Sequence, residues 1–566
     1  MAFTLNAILR EITHDYLDTL DMNNIPSPGE IEDDLFSLIR TRITTENAIR
    51  EKNEKIKLPV SLSTSQIAEI MAKIYPIVRI DCSKNGSNPE LDLLAIYNND
   101  GENKGIYTTS DDDFRRIAVQ YDYNLKSKDF YEVLEAIKPL LPRVKRTEDQ
   151  DLIPVNNGIF DYKTKQLLPF DPKYIFTCKS HVDYVPNAIN PVIHNPDDAT
   201  DWDIESWVAE LTDDPELTQL LWEMIGAVIR PNVAWYKTTW LYSEKGNNGK
   251  GSLCELMRNL CGESAYASIT IADFSKEFML EPLLHASAII TDENDVGQYI
   301  DKCGAMKSVI TNDDITINRK FKTPIKFQFK GFQVQCINDF PRIKDKSDSW
   351  ARRVMIVPFA KSFTGSERKY IKRDYLNRQN VLEYVMYKVL NMNYYSLSQP
   401  QACSTVFEEY KSFNNPIKEF LDEVLCEFSW NLIPFAMLYS MYQEWYKRTS
   451  PNGSIQGRNT FIRDVIALTE HSTTWYYPVS SGGNAKVSDR MDVPEPLILE
   501  YNLKDWMNSN YRGNDKNMLC SPKFDPRKTY RGLLRFPDNG IIPDENEPDN
   551  PFENVPVKPQ EGDPTT

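Results

Sequence analysis

The sequence predicts an α/β protein whose core is a parallel sheet covered by helices, with an α+β region before it and a small helical domain with a β wing after it. Three observations predict this architecture. A buried strand, a Gly-rich turn and an amphipathic helix follow one another between residues 238 and 262. Three more apolar strands, each next to polar residues, follow before residue 359. Three helical segments and a Gly-containing turn then occupy residues 416–483. Strands alternating with helices are typical of parallel sheets.

The strand, turn and helix of residues 238–262 form the pattern of a phosphate-binding loop. The strand covers 239–242, the turn 244–251, and the helix carries apolar residues at i, i+3, i+4 and i+7 before it closes at Gly262. Glycines let the backbone pass close to a polyphosphate, and the helix N-terminus favours an anion at the same point. The residues predicted to bind nucleotide are Gly246, Asn247, Asn248, Gly249, Lys250, Gly251 and Ser252.

Lys250 stands where an ammonium can reach the β and γ phosphates. The turn departs from the pattern G-x-x-x-x-G-K-[ST] at two positions. Glu244 replaces the first Gly, and Gly251 follows the Lys, so only Ser252 can supply the hydroxyl expected on Mg²⁺. Taken alone, a Gly/Asn turn before a helix is most often only a turn; the residues downstream favour a nucleotide site.

Polar side chains follow two of the later strands. Asp292 and Glu293 come directly after the apolar strand 286–291, and Asn338 follows the strand 332–337. Ligands bind at the carboxyl ends of parallel strands. We therefore expect Asp292 to hold Mg²⁺, Glu293 to orient and polarise an attacking water, and Asn338 to contact the γ-phosphate and that water. The alternative is a strand that simply ends in a polar turn.

The distribution of charge points to a polyanionic partner. The net charge of −17 argues against nucleic acid, but residues 302–373 hold 17 Lys and Arg against 6 Asp and Glu, a difference of +11. Within this block, residues 311–329 predict a hairpin with a basic tip at Arg319, Lys320 and Lys322. Arg352 and Arg353 precede the strand 354–357, and guanidinium groups suit the stabilisation of phosphoryl-transfer charge; a solvated strand start is the alternative.

The region before the turn is a mixture of helices and strands. Ser27 to Glu30 form a capping-box start to a helix. Two hairpins are predicted, at 91–109 and 155–172, and three acidic residues at 111–113 are interpreted as a helix N-terminus. No spaced acidic pair on neighbouring strands suggests a two-metal site for nucleotidyl transfer.

The distribution of cysteines and of apolar residues indicates the cellular compartment of the protein. The nine cysteines are scattered without a C-x-x-C pair, which favours reduced thiols in the cytoplasm and argues against a zinc site. We find neither a long apolar run nor a signal peptide, so we predict a cytoplasmic protein with no membrane partner.

The C-terminal part predicts a winged helix. Helices are expected from residue 416, over 438–448 and over 458–468, followed by a hairpin that turns at 481–483. Arg458 and Arg463 are predicted groove or phosphate contacts to duplex DNA, with a purely architectural domain as the alternative. The acidic, Pro-rich residues 536–566 are predicted to be disordered.

The order of these motifs resembles the phage, plasmid and poxvirus primase–helicase family, within superfamily 3 of the DNA helicases. The variant N-G-K-G-[ST] also occurs in that family, whereas Glu244 remains a departure. The resemblance covers roughly residues 90–375. The segments that carry it are GNNGKGS (246–252), IITDEN (289–294), KSVITNDDITINRKF (307–321), CINDFP (336–341), ARRVMIVPF (351–359) and, before the motor, NNGIFDY (156–162).

The resemblance implies a P-loop motor of the AAA+ class, with ATP and Mg²⁺ bound between the subunits of a homohexameric ring. One protomer would supply Lys250, Ser252, Asp292, Glu293 and Asn338, and the next would supply Arg353 with Arg352. The implied domains are a helical region (1–90), an α+β pre-helicase domain (91–200), the motor (201–400), the winged helix (410–535) and an acidic tail (536–566).

The implied activity is ATP-dependent DNA unwinding. Lys320, with Arg319 and Lys322, would grip single-stranded DNA in the central channel, and family members translocate 3′ to 5′. Together with a winged helix that binds double-stranded origin DNA, this predicts a replication initiator of a mobile genetic element. Two alternatives stay open: a non-motor origin-binding protein with an ATP switch, and a bifunctional primase–helicase.

Overall fold

The computed structural model describes residues 3–295, 299–300, 302–343, 348–413, 415–449 and 455–537. Over these residues the chain has a mixed α/β fold that divides into two compact units, residues 1–408 and 409–566. Among the helices described, none combines the length and the hydropathy that a membrane span requires. The predicted disordered tail lies outside the described residues from position 538 onward.

The first unit begins with helices packed on a four-stranded sheet. The predicted capping box is present, because the side chains and backbone of Ser27 and Glu30 bond each other reciprocally. The sheet has the order β3-β2-β1-β4, with β1 antiparallel to β2 and parallel to β4. The elements are α1 (Leu5–Thr19), α2 (Pro28–Ala48), α3 (Thr64–Ile74), β1 (Ile77–Asp81), β2 (Leu93–Tyr97), β3 (Tyr107–Thr108), α4 (Asp111–Ala118), α5 (Ser127–Ile137) and β4 (Arg143–Lys145).

This sheet corrects the boundary predicted between residues 90 and 91. The first 90 residues are not only helical, since they include β1, which pairs with β2 on the other side of that boundary. The acidic residues 111–113 do begin α4, as predicted. The boundary was misplaced because the partners of β1 come later in the chain and leave no local pattern.

The hairpin predicted at 155–172 is confirmed between residues 158 and 168, and a strand at 152–155 pairs with it to make a three-stranded antiparallel meander. Its central strand pairs with both neighbours. A short hairpin and two helices lead into the core sheet. These elements are β5 (Leu152–Val155), β6 (Gly158–Asp161), β7 (Gln166–Leu168), β8 (Ile193–Asn195), β9 (Thr200–Trp202), α6 (Ile204–Glu210) and α7 (Pro215–Ala227).

The core sheet has five strands in the order β11-β12-β16-β10-β18, and every pair is parallel. The four strands predicted from apolar runs are confirmed as β10, β12, β16 and β18. The strands of the first unit from here on are β10 (Thr238–Tyr242), β11 (Tyr266–Ala267), β12 (Ala288–Thr291), β13 (Tyr299–Ile300), β14 (Asp314–Arg319), β15 (Lys322–Gln328), β16 (Phe332–Ile337), β17 (Arg342–Ile343) and β18 (Val354–Pro358).

Helices cover this sheet. The apolar residues of α8 (Lys250–Cys261), Leu253, Leu256, Met257 and Leu260, are fully buried in the main core. Each contributes about 1.5–3 kcal/mol relative to an exposed side chain, which fixes the helix and the turn before it against the sheet. The remaining helices are α9 (Gly304–Ile310), α10 (Asp348–Ala351), α11 (Lys369–Arg373), α12 (Gln379–Asn391) and α13 (Gln401–Phe413), the last of which includes the division between the two units at residue 408.

The second unit contains the three predicted helices, but the predicted hairpin is wrong. The strands on either side of the Gly482-Gly483 turn do not pair with each other; both pair antiparallel with a strand that comes much later. The Gly482-Gly483 turn therefore separates two short strands that pair with the same later strand. The elements are α14 (Pro416–Val424), β19 (Leu432–Pro434), α15 (Phe435–Thr449), α16 (Arg458–Thr469), β20 (Trp475–Tyr476), β21 (Asn484–Lys486), α17 (Leu497–Glu500), α18 (Lys516–Leu519) and β22 (Thr529–Arg535).

Candidate functional site

The carboxyl ends of β10, β16 and β12 lie side by side, because β16 stands between the other two strands. At this edge the Nζ atom of Lys250 donates a hydrogen bond to Oδ1 of Asn338 at 3.0 Å and lies 3.4 Å from the carbonyl oxygen of Ser243. The lysine is only 6% exposed. Burial lowers its pKa, while the nearby Asp292 carboxylate opposes that shift.

The turn between β10 and α8 is held by its own side chains. The Asn248 amide donates to the carbonyl of Lys245 and accepts from the backbone N–H of Lys250. Asn247 and Gly249 have left-handed backbones, with φ of 54° and 88°. A Cβ on Gly249 would lie 2.4 Å from the Leu211 side chain, so this position needs glycine for both reasons.

Gly251, one of the two departures from the phosphate-loop pattern, has a steric explanation. A Cβ at this position would lie 3.2 Å from Oδ1 and 3.3 Å from Oδ2 of Asp292. The residue after Lys250 thus leaves room for the acidic side chain of β12. Gly246 differs, because a Cβ there would meet no described atom within 4 Å. Glu244, which replaces the first Gly of the phosphate-loop pattern, accepts a hydrogen bond from the Tyr242 hydroxyl at 3.1 Å.

Asp292 is surrounded by cations. Its Oδ2 atom lies 3.7 Å from Nη1 of Arg258 on α8 and 3.9 Å from Nζ of Lys372 on α11. Glu293, the next residue, is exposed. The structure therefore brings Lys250, Asp292 and Asn338 to one edge of the sheet, with Glu293 beside them.

Asn294, which was not among the site residues predicted from the sequence, positions these groups. Its amide donates to Oε1 of Gln335 at 3.0 Å and to the carbonyl of Cys336 at 2.9 Å, and its oxygen accepts from the N–H of Ile271. These bonds join the end of β12, which carries Asp292, to the end of β16, which carries Asn338.

A cavity of about 350 Å³ opens beside the turn. The chain after β18 forms its far wall and is tied to the turn, since Phe363 donates its N–H to the Asn247 carbonyl at 2.7 Å and the Asn247 amide donates to Glu367 at 3.1 Å. Ser252 lines this cavity together with four cations that sequence reasoning did not assign: Arg368, Lys369, Lys372 and Arg373. All four belong to the basic block of residues 302–373, and the excess of Lys and Arg in that block was the one feature of the sequence that could have indicated them.

Arg352 and Arg353 lie at the amino ends of the parallel strands, opposite the carboxyl ends that carry Lys250, Asp292 and Asn338. Val354 pairs with Thr238 and Pro358 with Tyr242, so both arginines stand at the amino end of β10. Five residues of strand span about 16 Å. Arg352 is exposed, and the Arg353 guanidinium donates to the carbonyl and hydroxyl of Ser349. Within one chain, neither arginine is brought to Lys250.

The predicted basic hairpin is confirmed as the antiparallel pair β14 and β15. Arg319 donates to the carbonyl of Thr323 at 2.8 and 3.1 Å, and Lys322 lies 2.9 Å from the Asp111 carboxylate. Lys320 is exposed at the tip, beside Phe321, whose side chain is 96% exposed on a left-handed backbone. Phe321 was missed because a lone aromatic residue in a basic stretch predicts burial as readily as exposure.

Arg458 and Arg463 are both exposed on α16. They are five residues apart, and a helix turns about 100° per residue, so they point about 140° away from each other. Arg463 also bonds Asp464 at 3.2 Å. The two arginines therefore do not form one continuous stripe on this helix.

Two protein families match parts of the chain. Residues 241–353 match a family of unknown function, DUF5906, and residues 94–226 match the D5 N terminal like family, D5_N. The DUF5906 match includes the turn, the end of β12 and the end of β16. The D5_N match includes part of the four-stranded sheet, the meander and most of α7.

Solved structures of the NrS-1 C terminal region are also similar to the chain. An apo A form has 12% sequence identity and a TM-score of 0.36, covering 78% of this chain and 91% of that one. An A form of its residues 305–718 has 13% identity and a TM-score of 0.37, covering 78% and 92%. TM-scores this low do not establish a common fold.

No curated protein matches the chain. D5_N and DUF5906 domains are typical of phage and plasmid primase–helicase proteins.

Proposed function

We propose that this chain is an ATP-driven DNA helicase that serves the replication of a mobile genetic element and works as a hexameric ring. The observation that carries the proposal is the meeting of Lys250, Asn338 and Asp292 at three neighbouring strand ends. An ammonium, an amide and a carboxylate at the start of a buried helix are the groups that phosphoryl transfer from a nucleoside triphosphate requires.

Each residue has a role that its position supports. The Lys250 ammonium binds the β and γ phosphates, and the amides of the turn from Gly246 to Gly251 surround them. Asn338 contacts the γ-phosphate and the attacking water, and the exposed Glu293 carboxylate orients and polarises that water.

The oxygen atoms of Asp292 and Ser252 fit Mg²⁺, which favours carboxylate, hydroxyl and phosphate ligands. Asp292 lies against the first turn of α8, and Ser252 faces the cavity beside it. When bound there, Mg²⁺ supplies charge neutralisation to the phosphates.

The position of Arg352 and Arg353 supports an assembly. They lie about 16 Å from the phosphate-binding edge of their own sheet, so an arginine from this pair reaches a triphosphate only in another copy of the chain. Sites shared between neighbours around a ring meet this condition. Arg353 would have to leave Ser349, whereas Arg352 is already exposed.

The hairpin supports contact with single-stranded DNA. Its tip presents the Lys320 ammonium and the Phe321 ring to solvent, with Nζ 5.4 Å from the ring centroid. An ammonium binds phosphate, and an exposed ring stacks on bases of any sequence. Arg319 and Lys322 are engaged within the chain, so we assign the first contact to Lys320 and Phe321.

The second unit supports an origin-binding role. Three helices followed by antiparallel strands are typical of winged-helix domains, and Arg458 and Arg463 offer exposed cations for duplex DNA. A motor and a duplex-binding domain in one chain would make the protein an initiator that loads itself.

The direct test is ATP hydrolysis with and without single-stranded DNA. We expect hydrolysis that depends on Mg²⁺, is stimulated by the strand, and disappears in Lys250→Ala. Binding of ATP without hydrolysis by the unmutated chain would instead identify an ATP-switched origin-binding protein.

A bifunctional primase–helicase is the second candidate, and the matches to D5_N and DUF5906 favour it because these domains are typical of such proteins. Primer synthesis on a single-stranded template distinguishes the two candidates. Labelled primers made by the chain would add the primase activity, and their absence would leave the helicase alone.

A further inference from the structure

Two buried thiols meet behind the candidate site. Cys254 lies one helical turn after Lys250 on α8, and Cys336 lies one residue before the end of β16. Their sulfur atoms are 3.4 Å apart, although the residues are 82 positions apart in the sequence. One carboxylate oxygen of Asp292 joins them, and the three ligand atoms all lie within 4.8 Å of one another. Three separate elements thus place two thiols and a carboxylate around one point.

We propose that Cys254, Cys336 and Asp292 form a binding site for one thiophilic divalent cation, of the class of Zn²⁺ or Cd²⁺. A tetrahedral zinc with metal–sulfur bonds of about 2.3 Å separates its two sulfur ligands by about 3.8 Å. The thiols therefore need to open by only about 0.4 Å. Three protein ligands leave the fourth position for water or another oxygen atom.

The charges around the site are compatible with this occupant. Each thiol releases its proton to solvent when the cation binds. Two thiolates and one carboxylate then carry −3 against the +2 of the cation. Lys250, Arg258 and Lys372 lie around Asp292 and offset the remaining negative charge. Contact with Cys254 and burial raise the pKa of Cys336.

The thiols set the selectivity. Mg²⁺ prefers oxygen ligands, whereas thiolates favour softer cations. Asp292 is the ligand that both cations would use, so a thiophilic cation would compete with Mg²⁺. This competition, unlike the site itself, rests on the proposed function. The lack of a C-x-x-C pair argues against a zinc site built from one local motif, but Cys254, Cys336 and Asp292 come from separate elements and need no such pair.

The experiment is a titration of the full chain with Cd²⁺ alone, without nucleotide, followed by the ultraviolet charge-transfer band of cadmium–thiolate bonds. We expect the band to saturate at one Cd²⁺ per chain, to be weaker in Cys254→Ser and in Cys336→Ser, each of which keeps one thiolate, and to be lost in the double variant. Cys426→Ser, which changes an exposed cysteine, is the matched control and should keep the band. Asp292→Asn should keep the band with at least tenfold weaker affinity.

The unmutated chain gives an independent measurement in case a serine variant misfolds. X-ray absorption of the zinc-loaded chain should show two sulfur neighbours at about 2.3 Å. A band of undiminished intensity in both serine variants, or a zinc spectrum without sulfur neighbours, would overturn the proposal. Neither measurement uses ATP, so Cd²⁺ binding by a chain that hydrolyses no ATP would reject the helicase alone, and the reverse result would reject the metal site alone.

Discussion

The ammonium of Lys250 and the amide oxygen of Asn338 lie 3.0 Å apart, across 88 residues of sequence. The bond joins the turn after β10 to the end of β16, and it exists because β16 is inserted between β10 and β12 in the sheet. Asn338 therefore lies between the lysine and the strand that carries Asp292.

Lys250→Ala should weaken ATP binding by about 10- to 100-fold, since a hydrogen bond to a charged group contributes about 1.5–3 kcal/mol. Binding of a fluorescent ATP analogue measures the effect. Lys245→Ala is the matched control, because Lys245 belongs to the same turn and is exposed. Equal affinities for the two variants would show that Lys250 does not bind the phosphates.

Gly251→Ala should lower Mg²⁺-dependent hydrolysis while the fold is retained. The added Cβ would press on the Asp292 carboxylate from 3.2 Å and move it away from the first turn of α8. Gly29→Ala is the control, because Gly29 lies in α2, outside the nucleotide-binding turn, and its Cβ would meet no described atom within 4 Å. The Mg²⁺ concentration needed for half-maximal hydrolysis should rise in the first variant only. An unchanged requirement in Gly251→Ala would remove Asp292 from the Mg²⁺ site.

Mixing two inactive variants should restore ATP hydrolysis if neighbouring copies share a site. Lys250→Ala keeps its arginines, and the double variant Arg352→Ala/Arg353→Ala keeps its lysine. In mixed assemblies, some interfaces combine an intact lysine with an intact arginine. Each variant alone should lose about 10³-fold or more in turnover. If the two variants assemble together and regain no activity, the arginines do not act between subunits.

Phe321→Ala should weaken binding of single-stranded DNA, because stacking contributes about 1–3 kcal/mol per base. Fluorescence anisotropy with a labelled oligonucleotide measures the change, which is expected to be about 5- to 100-fold. Phe321→Trp should retain affinity. Tyr123→Ala, which removes another aromatic side chain that is 93% exposed, should have no effect. Similar losses in both alanine variants would point to nonspecific contact.

The sequence predicted four of the five strands of the core sheet, because each of these four is a continuous apolar run next to polar residues. The fifth strand, β11, was missed because it has only two residues and leaves no such pattern. The same reasoning selected Asp292 and Asn338, since carboxyl ends of parallel strands meet at one edge. It did not find Lys372, whose approach to Asp292 depends on how the chain after β18 folds back. It also missed the pairing of β20 and β21 with β22, because Gly482 and Gly483 form a local turn signal while the partner strand comes later in the chain.

Strand separation tests the central claim most directly. The unmutated chain and Lys250→Ala are compared on one duplex with a 3′ single-stranded tail and on the same duplex without it, with ATP and Mg²⁺. We predict ATP-dependent separation of the tailed duplex by the unmutated chain and none by Lys250→Ala. An unmutated chain that binds DNA and hydrolyses ATP yet leaves both duplexes intact would contradict the account.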